Sequence, residues 1–69
     1  MPAPTRREAE ILLAVCETGS TKGAAGVLGI TDSTVRHGLA ALRRRCGYRS
    51  TAQAAWRERR ELERLVRSR

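Results

Sequence analysis

Residues 20–40 read STKGAAGVLGITDSTVRHGLA, two short helical segments separated by residues 29–31. Ser20 and Thr31 stand immediately before the two segments, where a hydroxyl caps a helix start by accepting a backbone N–H. Gly29 supplies the positive φ that a tight turn between helices needs. The spacing leaves no room for a strand, so the stretch predicts a helix-turn-helix.

Start and stop signals for further helices flank this stretch. The T-x-x-E capping box at residues 5–8 opens a first helix, and Gly19 ends it. The second helix of the hairpin continues over about residues 32–46 and stops at Gly47. An S-x-x-Q box at residues 50–53 then opens a fourth helix. These signals predict an all-α fold of four helices.

Apolar residues recur at helical spacing, which puts one face of each helix in a core. The predicted core positions are Ile11, Leu12, Val15, Cys16, Ala24, Ala25, Leu28, Ile30, Val35, Leu39, Leu42 and Cys46. We divide the chain into a flexible N-terminal arm (residues 1–4), one domain (residues 5–60) and a charged C-terminal helix extension (residues 61–69).

The two cysteines are interpreted as buried, reduced thiols, because free cysteine behaves as a small hydrophobic residue. Cys16 and Cys46 are far apart in the chain, and neither a CxxC motif nor a second histidine accompanies them. A structural zinc site would therefore lack ligands, and we expect no metal and no other cofactor. The alternative is an exposed Cys46 that forms an intermolecular disulfide.

The charge of the chain indicates an acidic partner. The formal net charge is +7, and 13 of the 14 cationic side chains are arginine, which suits phosphate groups and guanine edges. Residues 20–50 hold six of the cations against one anion. No apolar run reaches the roughly 20 residues of a membrane span. We see no signal-peptide segment, and expect a cytoplasmic protein with no membrane partner.

Several motifs, in order, resemble the LuxR/GerE-type DNA-binding domain of bacterial regulators. The resemblance spans about residues 5–56 and rests on TRREAEIL, STKGAAGVLGITDSTVR, RCG and AQAAW. Gly23, Gly38 and Thr51 depart from the family pattern, which indicates a divergent member, and we expect it to act as a stand-alone domain. The resemblance implies a four-helix GerE-type helix-turn-helix, and the charged tail beyond the usual end of the family predicts an extended C-terminal helix. The resemblance also implies that helix 3 enters the major groove of double-stranded DNA.

The outward face of helix 3 carries the predicted base contacts. Arg36 stands where the family has a lysine, and its guanidinium can bridge O6 and N7 of one guanine. The resemblance also implies that His37 and Ala40 face the bases. Ala40 can offer only a methyl group there. Ser33 shares this outward face. The alternative for His37 is an ordinary surface histidine.

The predicted phosphate contacts lie on either side of these base contacts. Lys22 stands in the first turn of helix 2 beside two hydroxyls, and a helix N-terminus attracts anions. The full set is Ser20, Thr21, Lys22, Thr34, Arg43 and Arg44. The alternative for the arginine run at residues 43–45 is a solvated helix end that complements the helix dipole.

One domain of this size covers few base pairs, so useful specificity favours a homodimer on two half-sites. The resemblance makes helix 4 the dimer surface, and the predicted interface residues are Ala55, Trp56, Leu62 and Val66. The charged extension could lengthen that pairing, or dock on RNA polymerase or another regulator.

The favoured function is sequence-specific DNA binding in transcription regulation. The alternatives are a protein-interaction module of the same fold, such as an anti-repressor or RNA polymerase adaptor, and a non-specific nucleic-acid binder. An enzyme is not expected, because the single histidine has no catalytic partners in the sequence and no glycine-rich phosphate loop follows a strand.

Overall fold

The computed structural model describes residues 3–68, and all regular structure over that range is α-helical. The five helices are α1 (Arg6–Thr18), α2 (Thr21–Leu28), α3 (Asp32–Cys46), α4 (Thr51–Arg57) and α5 (Arg59–Arg67). The all-α prediction is confirmed, whereas the number of helices is five and not four. Of the predicted arm and extension, residues 1, 2 and 69 lie outside the described residues.

The helix-turn-helix forms through the predicted caps. The Ser20 hydroxyl accepts the backbone N–H of Gly23 at 2.9 Å, and the Thr31 hydroxyl accepts that of Thr34 at 3.1 Å. Gly29 has a φ of 68°, and Ile30 donates its N–H to the Ala25 carbonyl at 3.0 Å. These local bonds reverse the chain between α2 and α3 within three residues.

Of the two predicted capping boxes, the one at α1 forms completely and the one at α4 forms only in part. At α1, Thr5 and Glu8 form both reciprocal bonds of the box. At α4, the Ser50 hydroxyl accepts the Gln53 N–H at 3.1 Å, but the Gln53 side chain accepts the N–H of Arg49 at 2.6 Å. The second box is therefore only half formed, and its glutamine closes the loop before α4.

The core is built from all five helices. Leu12, Val35 and Leu42 are its largest completely buried side chains, and α5 contributes Leu62 and Leu65. Most of the predicted core positions are buried or packed against the core. The prediction for Cys16 is wrong, because α1 buries its side chains only as far as Ala14 and its last turn lies at the surface.

Cys46 is half-buried against the core, and no disulfide joins the two cysteines. Although Cys16 lies at the surface, partial burial of its sulfur raises the pKa of the thiol, and the charge of Glu17 raises it further. The thiolate, the reactive form of a cysteine, is therefore disfavoured at Cys16.

The C-terminal region does not form one extended helix. The chain bends at Glu58, where φ is −96° and ψ is 15°, and α5 then packs on α1. The buried Tyr48 hydroxyl donates a hydrogen bond to the Glu58 carboxylate at this bend. Burial, followed by this bond, raises the pKa of Tyr48 to about 12.

An ion pair joins the first turn of α1 to the last turn of α3. The Arg45 guanidinium donates to both carboxylate oxygens of Glu8 and, at 2.8 Å, to the carbonyl of Ala3. Burial by itself would raise the pKa of Glu8, but the bonds and charge of Arg45 and the bonds to Thr5 outweigh it. The pKa of Glu8 therefore lies below its ordinary value.

Glu8→Gln is expected to reduce the fall in the free energy of unfolding that wild type shows at acidic pH. Because the folded-state pKa of Glu8 is lowered, its ionised form stabilises the native state above the ordinary pKa of 4.5. That stability is lost as the pH falls through the folded-state value. We expect a loss of about 1 kcal/mol at neutral pH, kept small by solvent around Arg45.

Urea unfolding of both proteins over a descending pH series measures this difference. The difference in free energy of unfolding between wild type and Glu8→Gln should shrink steadily as the carboxyl group of Glu8 becomes protonated. A gap of constant size at every pH would show that the ionisation of Glu8 does not contribute.

Gly26→Ala is expected to stabilise the protein by about 0.5–1 kcal/mol, because glycine inside a helix loses more backbone entropy than alanine. A Cβ at Gly26 meets no atom within 4 Å. In the matched variant Gly23→Ala, the Cβ would lie 2.8 Å from Cβ of Thr18, so that variant should be less stable than wild type. Thermal unfolding of the two variants measures these opposite signs.

Candidate nucleic-acid interface

The outward face of α3 brings the four predicted base contacts together. Ser33, Arg36, His37 and Ala40 are all exposed and line one shallow depression on the surface. The opposite face of the same helix buries Val35, Leu39 and Leu42 in the core. The core therefore fixes which side of α3 faces outward, and the roles of these residues at DNA stay predictions.

Arg36 is held by a residue that the sequence reasoning missed. Its Nε lies 2.9 Å from Oδ2 of Asp32, one helical turn earlier. The Arg36 side chain is 72% exposed. The i,i+4 spacing of an acid and an arginine was the sequence signal that could have identified this pair.

The start of α2 gathers three of the predicted phosphate contacts. Lys22 and Ser20 are exposed, and Thr21 is half-buried. The Ser20 oxygen already accepts the N–H of Gly23, which leaves its O–H as a donor. No acidic residue lies in the first turn of α2, so its positive dipole end is not neutralised there.

Thr34, the phosphate contact predicted on α3, is exposed next to the cap of that helix. Its hydroxyl lies 2.8 Å from the Thr31 hydroxyl, and either oxygen can be the donor. Thr34 therefore has a local partner in addition to any role at DNA.

The three consecutive arginines at the end of α3 have different surroundings. Arg43 donates to the carbonyl of Arg49 at 2.8 Å. Arg45 is paired with Glu8, as described above. Arg44 is exposed and makes no hydrogen bond or ion pair within residues 3–68. Neither Arg43 nor Arg44 is paired with a carboxylate within residues 3–68, and Arg44 is the one of the two whose guanidinium makes no hydrogen bond there.

The depressions on α3 form a continuous charged surface. A second depression is lined by Ala40, Arg43, Arg44 and Tyr48, and Ala40 also lines the first. The one carboxylate of residues 20–50 is Asp32, which is paired with Arg36. The surface therefore offers cations along α3 with one anion beside its N-terminal end.

The predicted dimer residues do not share one environment. Leu62 is 7% exposed and belongs to the core of its own chain, and Ala55 is half-buried. Trp56 is 67% exposed and Val66 is 46% exposed. The Arg59 guanidinium lies 4.3 Å from the centroid of the Trp56 ring.

Arg59 also lines an open groove between α1 and α5, together with Leu13, Leu62 and Val66. Its side chain therefore connects the exposed tryptophan to an apolar groove. This link was missed because it depends on the bend at Glu58, which the sequence reasoning did not predict.

Residues 3–68 contain neither a candidate membrane span nor a cluster of metal ligands. None of the helices there has the length and apolarity that crossing a membrane requires. No three metal-ligating side chains of His, Cys, Asp or Glu come together there.

An exposed, arginine-bearing α3 on a helix-turn-helix defines a DNA-binding domain of the class found in transcription regulators. Residues 7–49 match the family model described as bacterial regulatory helix-turn-helix protein, lysR family. The match covers more than half of the chain, and the chain belongs to this family. Comparison with curated proteins and with solved structures gives no match.

The family assignment corrects the predicted type. A helix-turn-helix DNA-binding domain is confirmed, but the family is lysR and not LuxR/GerE. The capped α2, the glycine turn and the capped α3 belong to the helix-turn-helix motif itself, so they indicated the motif and not the type. The matched range ends before α4, so α4 and α5 lie outside the family model.

Proposed function

We propose that this chain is a sequence-specific, double-stranded DNA-binding transcription regulator whose α3 lies in the major groove. The observation that carries the proposal is the exposed face of α3, where Arg36 and its neighbours line one depression beside further arginines. The family assignment supports the same function. As a regulator that acts on bacterial DNA, the protein would work in the cytoplasm.

In this proposal Arg36 is the main base reader. A bidentate bond from its guanidinium to O6 and N7 of a guanine contributes about 1–3 kcal/mol of discrimination. Ser33 and His37 offer polar contacts beside it, and Ala40 offers a methyl group to a thymine methyl. Ser33, Arg36 and His37 occupy the N-terminal half of α3, the part of a recognition helix that reaches base edges, and Ala40 lies just beyond it.

Phosphate contacts fix the register of the protein on DNA and account for most of the salt dependence. On one side, Ser20, Thr21 and Lys22 present hydroxyls, a cation and the N-terminus of α2. On the other side, Arg44 offers a guanidinium that makes no hydrogen bond within residues 3–68, with Arg43 and Thr34 as additional donors.

A homodimer would double the length of DNA that is read. The surface we propose for it contains the exposed Trp56 and Val66, joined by Arg59, with Ala55 at its edge. Leu62 would support this surface from within the core. Sedimentation equilibrium should give the mass of two chains, whereas a single-chain mass at every concentration would remove the dimer from the proposal.

Selection from a random-sequence DNA library at two salt concentrations tests the function. Enrichment of two half-sites about one DNA turn apart would support a dimeric, sequence-specific regulator. A steep salt dependence with no enriched motif would replace it with a non-specific binder. An absence of binding at low salt would favour a protein-interaction module, with RNA polymerase or another regulator as the partner.

A further inference from the structure

Asp32 has a defined place beside the proposed base reader. It occupies the first turn of α3, directly after the cap residue Thr31. Its Oδ2 lies 2.9 Å from Nε of Arg36, and its Oδ1 is buried without a hydrogen-bond partner within residues 3–68. Arg36 is thus the ion-pair partner of the one carboxylate on this charged surface.

We propose that Asp32 is a positioning residue that orients the Arg36 guanidinium for guanine recognition. This inference rests on the proposed function. The carboxylate occupies the Nε position, so the Nη1 and Nη2 end of the guanidinium remains available for O6 and N7 of a guanine. Holding Arg36 in one orientation before binding reduces the side-chain entropy that is lost on complex formation.

The Asp32 carboxylate should also weaken the part of DNA binding that does not depend on sequence. A negative charge at the N-terminal end of α3 repels phosphates, and it does so for every DNA sequence alike. Asp32 should therefore weaken non-specific binding while it strengthens the preference for guanine. A purely structural role, such as favouring the positive end of the helix dipole, would leave that preference unchanged.

The test compares two affinities for wild type, Asp32→Ala and Asp32→Glu at one salt concentration. One DNA carries the site selected by wild type, and the other differs at the guanine whose preference is lost in Arg36→Ala. The measured quantity is the ratio of the two affinities, obtained by fluorescence anisotropy. Circular dichroism melts establish that each variant is folded.

For Asp32→Ala we expect the ratio to fall about three- to tenfold, while affinity for non-specific DNA rises. Asp32→Glu should retain most of the ratio, because glutamate and arginine also pair at i,i+4 spacing. The control Glu10→Ala removes a carboxylate paired with Arg6 on α1, at 3.8 Å, and should leave the ratio unchanged.

Two results would overturn the inference, and they are distinguishable. If wild type prefers a sequence and Asp32→Ala keeps the same ratio, Asp32 does not position Arg36, although the proposed function stands. If wild type prefers no sequence at all, both the proposed function and this inference are wrong.

Discussion

Arg36→Ala should lower the affinity for the selected DNA site by about 5- to 150-fold, the equivalent of losing one bidentate guanine contact of about 1–3 kcal/mol. Affinity for unrelated DNA should change much less. On such DNA Arg36 would contact only phosphate groups, and neighbouring cations can make that contact instead. The preference at one base position should disappear. Anisotropy titrations with the selected site and with unrelated DNA measure both effects.

Arg64→Ala is the matched control for this variant. Arg64 is as exposed as Arg36, at 76% against 72%, and it is likewise paired with an acid on its own helix, Glu61 at 3.3 Å. The variant loses the same charge from α5 and should retain the preference for the selected site. Equal losses in the two variants would mean that net charge, and not the position of Arg36, determines the binding.

Leu42→Ala should destabilise the domain by about 2–5 kcal/mol, the usual effect of removing a buried leucine side chain. Leu42 is completely buried, on the side of α3 opposite the exposed arginine face. A domain of this size has only a few kcal/mol of total stability. We therefore expect a large unfolded fraction in buffer without denaturant, measured by circular dichroism and urea titration.

Val27→Ala provides the comparison for this core substitution. Val27 lies on α2 and is 65% exposed, so its truncation should change the free energy of unfolding by no more than about 0.5 kcal/mol. Similar urea midpoints for Leu42→Ala and Val27→Ala would contradict the assignment of Leu42 to the core.

The features that sequence reasoning predicted well are those set by neighbouring residues. The caps at Ser20 and Thr31 and the positive φ of Gly29 are decided within a few residues of the chain. The same holds for the amphipathic pattern of α3, because helical periodicity determines which side chains share a face. The helix-turn-helix and its outward residues followed from these local rules.

The features that were missed depend on contacts between distant parts of the chain. The sequence reasoning assigned Leu62 to a charged extension and to the dimer surface, but α5, which follows the bend at Glu58, places Leu62 and Leu65 in the core. The run at residues 43–45 could not be divided into structural and exposed arginines until Glu8 was known to lie beside Arg45.

The family type was missed for a related reason. Many families share the caps and turn of a helix-turn-helix, so these features indicate the motif and not the family. The Asp32–Arg36 pair is a different case, because its four-residue spacing was readable from the sequence alone.

The packing of α5 on α1 affects how the protein folds during its synthesis on the ribosome. α1 and α5 share one core, and Leu13 of α1 lies beside Leu62 and Val66 of α5, so this part of the core cannot be completed until residues 59–67 have been synthesised. A nascent chain lacking α5 therefore keeps part of its apolar surface exposed to other chains. The domain can therefore complete its core only after α5 has left the ribosome.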